Sequence, residues 1–416
     1  MTSTLLRKVR VVDTRSPYHG QVVDIRIQDE QITAISNSLS EDENEEVIDL
    51  EGYSVSPGWV EMHSDFADPG SEERENLQSG AGAALNGGFS TVCLTPGTFP
   101  VLQSKSDIEY IYGKGSNLPV NLLPIGALSR NMAGEEMTEM FDMSISGAVA
   151  FSDDFNSVDN PNLLKMALLY AKPNNLTVVN FPFEKRLASG GQMNEGHTAT
   201  YLGLKGIPAM SEELMVSRDL EILSYTEGHL HLSRISTAGS VERIREAKAK
   251  GYHVTCDVNL YNLLLVDSAL HEYDSVYKVL PPLRTEEDRQ ALIAGINDGT
   301  IDAIAVDHTP MDVERKKCEY HNASFGMAYL EQAFGLYGAE LKNSISIEKW
   351  VECLTAGPRE SYGMGQVNIV EGSPAELTIF DPNMAWTSTR NSSVSLAYNQ
   401  PFLNKPLVGK AFGIFN

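Results

Sequence analysis

Residues 240–256 read Ser240-Val-Glu-Arg-Ile-Arg-Glu-Ala-Lys-Ala-Lys250-Gly251-Tyr-His253-Val-Thr-Cys256. The first part carries a helical pattern that stops at a glycine suited to the C′ position, and an apolar run follows at once. Outward from this unit, further apolar runs recur at Ser90–Leu94, Val120–Pro124, Gly147–Phe151, Thr177–Val179 and Ala303–Val306, with helical stretches between several of them. Strands alternating with helices imply βαβ units and a parallel sheet. About six to eight such units over ~300 residues predict a (β/α)8 TIM-type barrel.

The two ends read differently. Leu6–Val12, Val22–Ile27 and Gln31–Ile35 alternate with period two between polar turns, and Val367–Phe380 returns to β-rich sequence. The pattern changes after Pro57-Gly58. The expected organisation is therefore a barrel over residues 56–365 and a small β-sandwich domain formed from both termini, residues 1–55 and 366–416. The acidic run Glu41–Glu46 reads as a solvated loop.

Composition narrows the function. The chain has 416 residues, 42% of them hydrophobic, and its 32 Lys+Arg against 56 Asp+Glu give a net charge of −24. That balance excludes nucleic acid and anionic membrane surfaces as partners, since both require a positive patch. No stretch approaches ~20 consecutive apolar residues, and no long apolar segment follows Met1, so a soluble cytoplasmic protein is expected. Cys93, Cys256, Cys318 and Cys353 form no CxxC pair and read as reduced core thiols.

In a barrel, functional groups follow the C-terminal ends of the strands. Five segments stand there: Met62-His63-Ser64-Asp65, Phe151-Ser152-Asp153-Asp154, Val179-Asn180, His229-Leu-His231-Leu-Ser-Arg234 and Val306-Asp307-His308. His and Asp converging from several strands are the raw material of a hydrolytic metal site, which needs several N/O ligands.

Longer motifs make the chain resemble dihydroorotases of the amidohydrolase superfamily, particularly the long bacterial kind that associates with aspartate carbamoyltransferase. The resemblance rests on Pro57–His63, Gly87–Val92, Phe151–Asp154, Met193–Gly196, Ser236-Thr237 with Ser240–Glu242, Pro281–Arg289, Asp298–Pro310, Phe325-Gly326 with Glu331, and Phe380–Pro382.

The resemblance also shows what is replaced. The family's His-x-His reads His63-Ser64-Asp65, and its substrate-gripping Arg is Ala67. The first Asn of its Pro-Asn-Thr-Asn-Pro loop is Gly97, and its next ligand histidine is Asn180. The later ligand histidine aligns with Arg234, while His231 occupies a neighbouring position that does not usually ligate. Asp-His-Ala-Pro-His ends in Met311 but keeps the catalytic Asp307, and Pro-His-His-Leu becomes Leu260-Tyr261-Asn262-Leu263. The residual metal set is His63, Asp65 and Asp153, and no cofactor is expected. Arg234, a permanent cation, is expected to neutralise Asp153, Asp307 and Asp65 in place of a metal; the alternative is a solvated Arg234.

The function implied is a dihydroorotase-like protein of pyrimidine biosynthesis without the activity, with an idle Asp307. It would serve as a structural or regulatory partner of aspartate carbamoyltransferase, and homo-oligomerisation is expected from the family. A second reading is a working hydrolase of a cyclic amide, of the dihydroorotase or hydantoinase kind. It would use a remodelled oxygen-rich site with zinc, Mg²⁺ or Mn²⁺. A third keeps the fold for an unrelated binding role.

Overall fold

The computed structural model describes residues 3–415. Strands β1 (Ser3–Val11), β2 (Val22–Gln28), β3 (Gln31–Ser36), β4 (Glu46–Asp49) and β5 (Ser54–Pro57) come from the first part of the chain. They join β16 (Leu377–Thr387) and β17 (Pro406–Phe415) in one seven-stranded sheet of order β17-β16-β5-β1-β2-β3, with β4 on β1. Strands from both ends of the chain thus share one sheet. The expected sandwich is replaced by this single sheet, because β5 pairs with β16 directly and carries the ladder from one end of the chain to the other. Leu6, Val9, Val23, Ile25, Ile32, Val55, Leu377 and Ile379 form its core.

The antiparallel pattern stops where the sequence predicts. β6 (Trp59–Ser64) starts two residues after Pro57 and is buried along its whole length. Gly58 lies between them because a Cβ there would stand 2.2 Å from Ser90 Oγ. Trp59 fixes the junction. Its indole N–H donates to Ser56 Oγ at 2.9 Å, and its ring packs against Phe89, Phe334 and Phe380.

Eight short parallel strands follow in two arcs. β6, β7 (Phe89–Leu94) and β8 (Asn121–Pro124) form one. The other contains β9 (Phe151–Ser152), β10 (Val178–Asn180), β13 (Leu230–Leu232), β14 (Val254–Asn259) and β15 (Ala303–Ala305). A short pair, β11 (Met193–Asn194) and β12 (Gly206–Ile207), lies outside both. The architecture is that of a TIM-type barrel whose ladder is not continuous. Single bridges, Gly126 to Phe151 and Ser64 to His308, cross the two seams. At the second seam the buried Glu61 carboxyl group accepts backbone N–H bonds from Val306 (2.7 Å) and Asp307 (3.0 Å). Burial pushes its pKa up to about 8, so this group bridges the seam largely in its neutral form.

Val60, Met62, Cys93, Ile125, Ala150, Val179, Ala303 and Ala305 fill the interior. Strands buried on both faces read as continuous apolar runs, which is why they were legible. Helix Ala238–Ala249 ends as predicted, with Gly251 left-handed at φ 82°. Among the cysteines Cys93, Cys256 and Cys353 are buried free thiols, but Cys318 is exposed, a departure from the expected core role. No helix among the described residues is long and apolar enough to cross a membrane.

Segment 312–326 is clipped to the body by two buried lysines. Lys316 Nζ donates to the Ser275 carbonyl (2.8 Å) and the Lys278 carbonyl (3.2 Å). Lys278 Nζ donates to Gln192 Oε1 (2.6 Å) and the Tyr320 carbonyl (2.8 Å). Burial, assisted by Lys278, lowers the Lys316 pKa to about 7. An unfolded lysine holds its proton to about pH 10.4, so between the two values the unfolded chain binds more protons and this group's contribution to stability rises with pH. Urea unfolding at about pH 7 and about pH 9 should therefore show wild type gaining stability relative to Lys316→Met. A difference between the two proteins that does not change with pH would contradict it.

Candidate functional site in the barrel mouth

The mouth is built on three left-handed backbones. Asp154 follows β9 with φ 51°, Arg234 follows β13 with φ 59°, and Asp307 follows β15 with φ 57°. Each non-glycine residue so held costs of order 1 kcal/mol, and such strain gathers where side chains must be aimed. Here it aims all three at one point. Arg234 Nε donates to Asp307 Oδ1 at 2.9 Å, and its Nη2 donates to Asp154 Oδ1 at 3.0 Å. Its guanidinium lies 4.2 Å above the Phe155 ring, and the side chain is 2% exposed. Burial opposes the charge, but Asp307, Asp154 and Asp257 outweigh it and hold the guanidinium firmly protonated. Burial likewise dominates at Asp154, whose pKa rises to about 6 despite Arg234.

Arg234 points inward as expected, but two of its predicted partners differ. Asp154 takes the place given to Asp153, which instead accepts from the Ser129 backbone N–H (2.8 Å) and the Ser129 hydroxyl. Adjacent residues leaving a strand point in different directions, so the pair Asp153-Asp154 could not be resolved from sequence. Asp65 turns to Arg74, 3.2 Å away, and accepts the Ala67 N–H at 2.8 Å. Asp307 is occupied on both oxygens, because Asn259 Nδ2 (3.0 Å) and Tyr261 Oη (3.1 Å) donate to Oδ2.

The remaining replaced positions are also engaged. Asn180 donates to Asp219 Oδ2 at 2.6 Å and accepts the Val158 N–H at 3.0 Å. Gly97 faces Asp154, since a Cβ there would lie 3.1 Å from its Oδ2. Met311 Sδ lies 3.7 Å from Arg74 Nη1. His308 packs on Glu75 at 3.4 Å. His229 is removed from the mouth, because it precedes β13 and so sits at the opposite end of the strand; burial lowers its pKa to about 4.

Beneath Arg234 lies a group the sequence reading missed. Asp257 Oδ2 is 2.8 Å from His63 Nε2 and 2.7 Å from His231 Nε2, while its Oδ1 accepts the Arg234 backbone N–H at 3.1 Å. A carboxylate only accepts, so both imidazoles present Nε2–H to it. His231 Nδ1 meets Thr255 Oγ1 at 2.9 Å, and His63 Nδ1 lies 3.5 Å from Tyr362 Oη. Burial lowers the His63 pKa and keeps the ring neutral. At Asp257 burial works against ionisation, yet the two histidines overcome it and hold the carboxylate ionised. The signal was present: an acid in an apolar strand, as at Asp307. The apolar run ends at Cys256, whereas β14 continues to Asn259 and carries Asp257 into the interior.

These geometries test the metal that the resemblance implies. A catalytic zinc needs at least three protein ligands around an open position. Of His63, Asp65 and Asp153, only His63 belongs to a convergent ligand group, and Arg234 already places a cation on Asp307. A zinc held by His63, Asp65 and Asp153 therefore does not fit. His63, His231 and Asp257 do offer ligand atoms within 4.8 Å of one another, the one such group among the described residues. Two histidines and a carboxylate suit a single divalent ion, provided the protons between them are displaced.

The Dihydro-orotase-like family matches residues 52–240, and the Amidohydrolase family matches residues 214–407. A dihydroorotase of Pelotomaculum thermopropionicum is 42% identical over 366 residues, 88% of this chain and 86% of that protein. One of Acetivibrio thermocellus is 37% identical, covering 98% of this chain and 96% of its own. Among solved structures, an L-hydantoinase from Arthrobacter aurescens superposes with a TM-score of 0.87 at 23% identity, covering 99% of this chain and 94% of its own. A dihydropyrimidinase from Brevibacillus agri gives 0.83 at 21%, covering 99% and 93%. At such identities the solved structures establish the fold alone.

Removing Arg234 should leave Asp307 and Asp154 buried without a counter-charge. Arg234→Met is expected to cost about 3–5 kcal/mol in urea unfolding, and Arg234→Met/Asp307→Asn to recover part of that loss. Equal stability of wild type and the single variant would show that the ion pairs contribute nothing.

Proposed function

Because the chain belongs to the dihydroorotase family of amidohydrolases, we propose that it keeps the family's barrel without its hydrolytic chemistry. Its role is that of a structural or regulatory partner of aspartate carbamoyltransferase in cytoplasmic pyrimidine biosynthesis. The observation that carries this reading is the Arg234 guanidinium on Asp307, the residue that the family uses as its base. Three donors, Arg234, Asn259 and Tyr261, hold that carboxylate, and the ion pair with a permanent cation lowers its basicity, which supports an idle Asp307.

Substrate binding points the same way. The carboxylate of dihydroorotate would meet Ala67 and Gly97 where the family carries Arg and Asn. Truncating one partner of such a charge pair costs about 2–5 kcal/mol, or roughly 30-fold to several-thousand-fold in binding. The relatives bear the enzyme's name, so activity is the property to measure. Purified protein, with and without added zinc, should hydrolyse dihydroorotate no faster than buffer; zinc-dependent turnover would overturn the proposal. With the cognate carbamoyltransferase, analytical ultracentrifugation should give one co-sedimenting species. Two independent species would remove the partner.

A second reading is favoured by one observation, the convergence of His63, His231 and Asp257. It holds that one divalent ion sits there and supplies Lewis-acid chemistry to a cyclic amide other than dihydroorotate. Elemental analysis separates the two readings. Stoichiometric metal in wild type that is lost in both His231→Ala and Asp257→Asn would support the second, and metal-free wild type supports the first.

A further inference from the structure

Away from the barrel mouth, a groove opens between helix Leu77–Gly87 and the hairpin of β16 and β17. It is lined by Asn86, Glu331, Trp386, Ser388, Lys410 and Phe412 among others and encloses about 540 Å³. That size lies within the range of small-molecule sites.

Its charges are unequally committed. Glu331 is satisfied within the protein, because it accepts from Asn86 Nδ2 (3.2 Å), the Val394 N–H (2.9 Å) and the Ser393 hydroxyl at 2.5 Å. Lys410 is held differently. Its ammonium lies 5.3 Å from the Trp386 ring centre and 5.7 Å from that of Phe412. No ion pair to Lys410 occurs among the described residues, in a chain where acids outnumber bases. Both rings are anchored. Trp386 Nε1 donates to the Gly409 carbonyl at 2.8 Å, and Phe412 stacks edge-on with Tyr53 at 5.1 Å. Two fixed aromatic faces thus position a cation with no carboxylate at ion-pair distance, although Asp381 stands opposite it in the β16–β17 ladder, in a groove also lined by Ser388 and Asn86. Phe412 is 46% exposed, leaving apolar surface for the body of a ligand.

We propose that this groove binds a small organic anion, a carboxylate or phosphate monoester on a planar apolar body, with its anionic oxygens on Lys410. The oxygens replace the carboxylate that Lys410 lacks, and the body covers the exposed edge of Phe412. The site is independent of the mouth and stands whether or not the barrel hydrolyses anything.

Tryptophan fluorescence reads it directly. Trp59 and Trp350 are fully buried, so Trp386 is the tryptophan that lines the groove. Full-length protein is titrated with phenyl phosphate and with benzoate, which separate phosphate from carboxylate, and with benzyl alcohol as the uncharged body. A saturable change with either anion, weakened about tenfold or more in Lys410→Met and absent with benzyl alcohol, is the expected result. Calorimetry on Trp386→Phe should detect the same binding without the optical probe. Equal response to benzyl alcohol, unchanged affinity in a folded Lys410→Met, or no saturable signal by either method overturns the proposal.

Discussion

A guanidinium shut away from water at the top of a barrel must find carboxylates, and the rest of the mouth is arranged around that need. Arg234 reaches Asp307 and Asp154 from a left-handed backbone, and both partners are left-handed as well. In a low-dielectric interior an unpaired charge is far more costly than the modest strain of such backbones. The ion pairs therefore outweigh the strain and keep the three loop origins where they are. The neighbouring groups comply: Asn259 and Tyr261 close the second oxygen of Asp307, and Phe155 covers the guanidinium face.

One layer deeper, the same logic runs without a formal cation. Asp257 is buried and ionised, and its stabilisation comes from three donors, the imidazoles of His63 and His231 and the Arg234 backbone. Arg234 thus links the two layers, side chain to the upper carboxylates and main chain to the lower one. The interior charge is distributed through fixed hydrogen bonds, the condition under which a buried polar network rigidifies a fold. Glu61 adds a third device at the seam of the barrel, where its carboxyl group accepts the N–H groups that no neighbouring strand pairs.

Particular residues show how legible this was. Trp59 and the apolar strands behind it could be read directly, since a strand buried on both faces advertises itself by composition. For Arg234, charge alone left an inward and a solvated path open, and the structure shows the inward one. Asp154 against Asp153, Asp65 turning to Arg74, and the convergence of His231 on Asp257 could not be read. Each depends on side-chain direction at a strand end, which one residue of register inverts.

The sequence by itself determined the alternation of strands and helices that builds a TIM-type fold and the β-rich character of both ends, because these follow from apolar periodicity. Only the tertiary structure decided that both termini share one sheet and that the barrel seams are bridged by single contacts. It alone decided that His63 serves Asp257, and that Lys410 lies between two rings without a carboxylate. The physical reason is common to all four. Each includes a contact between residues well separated in the chain, fixed by where backbones meet in space, and no local pattern encodes that distance.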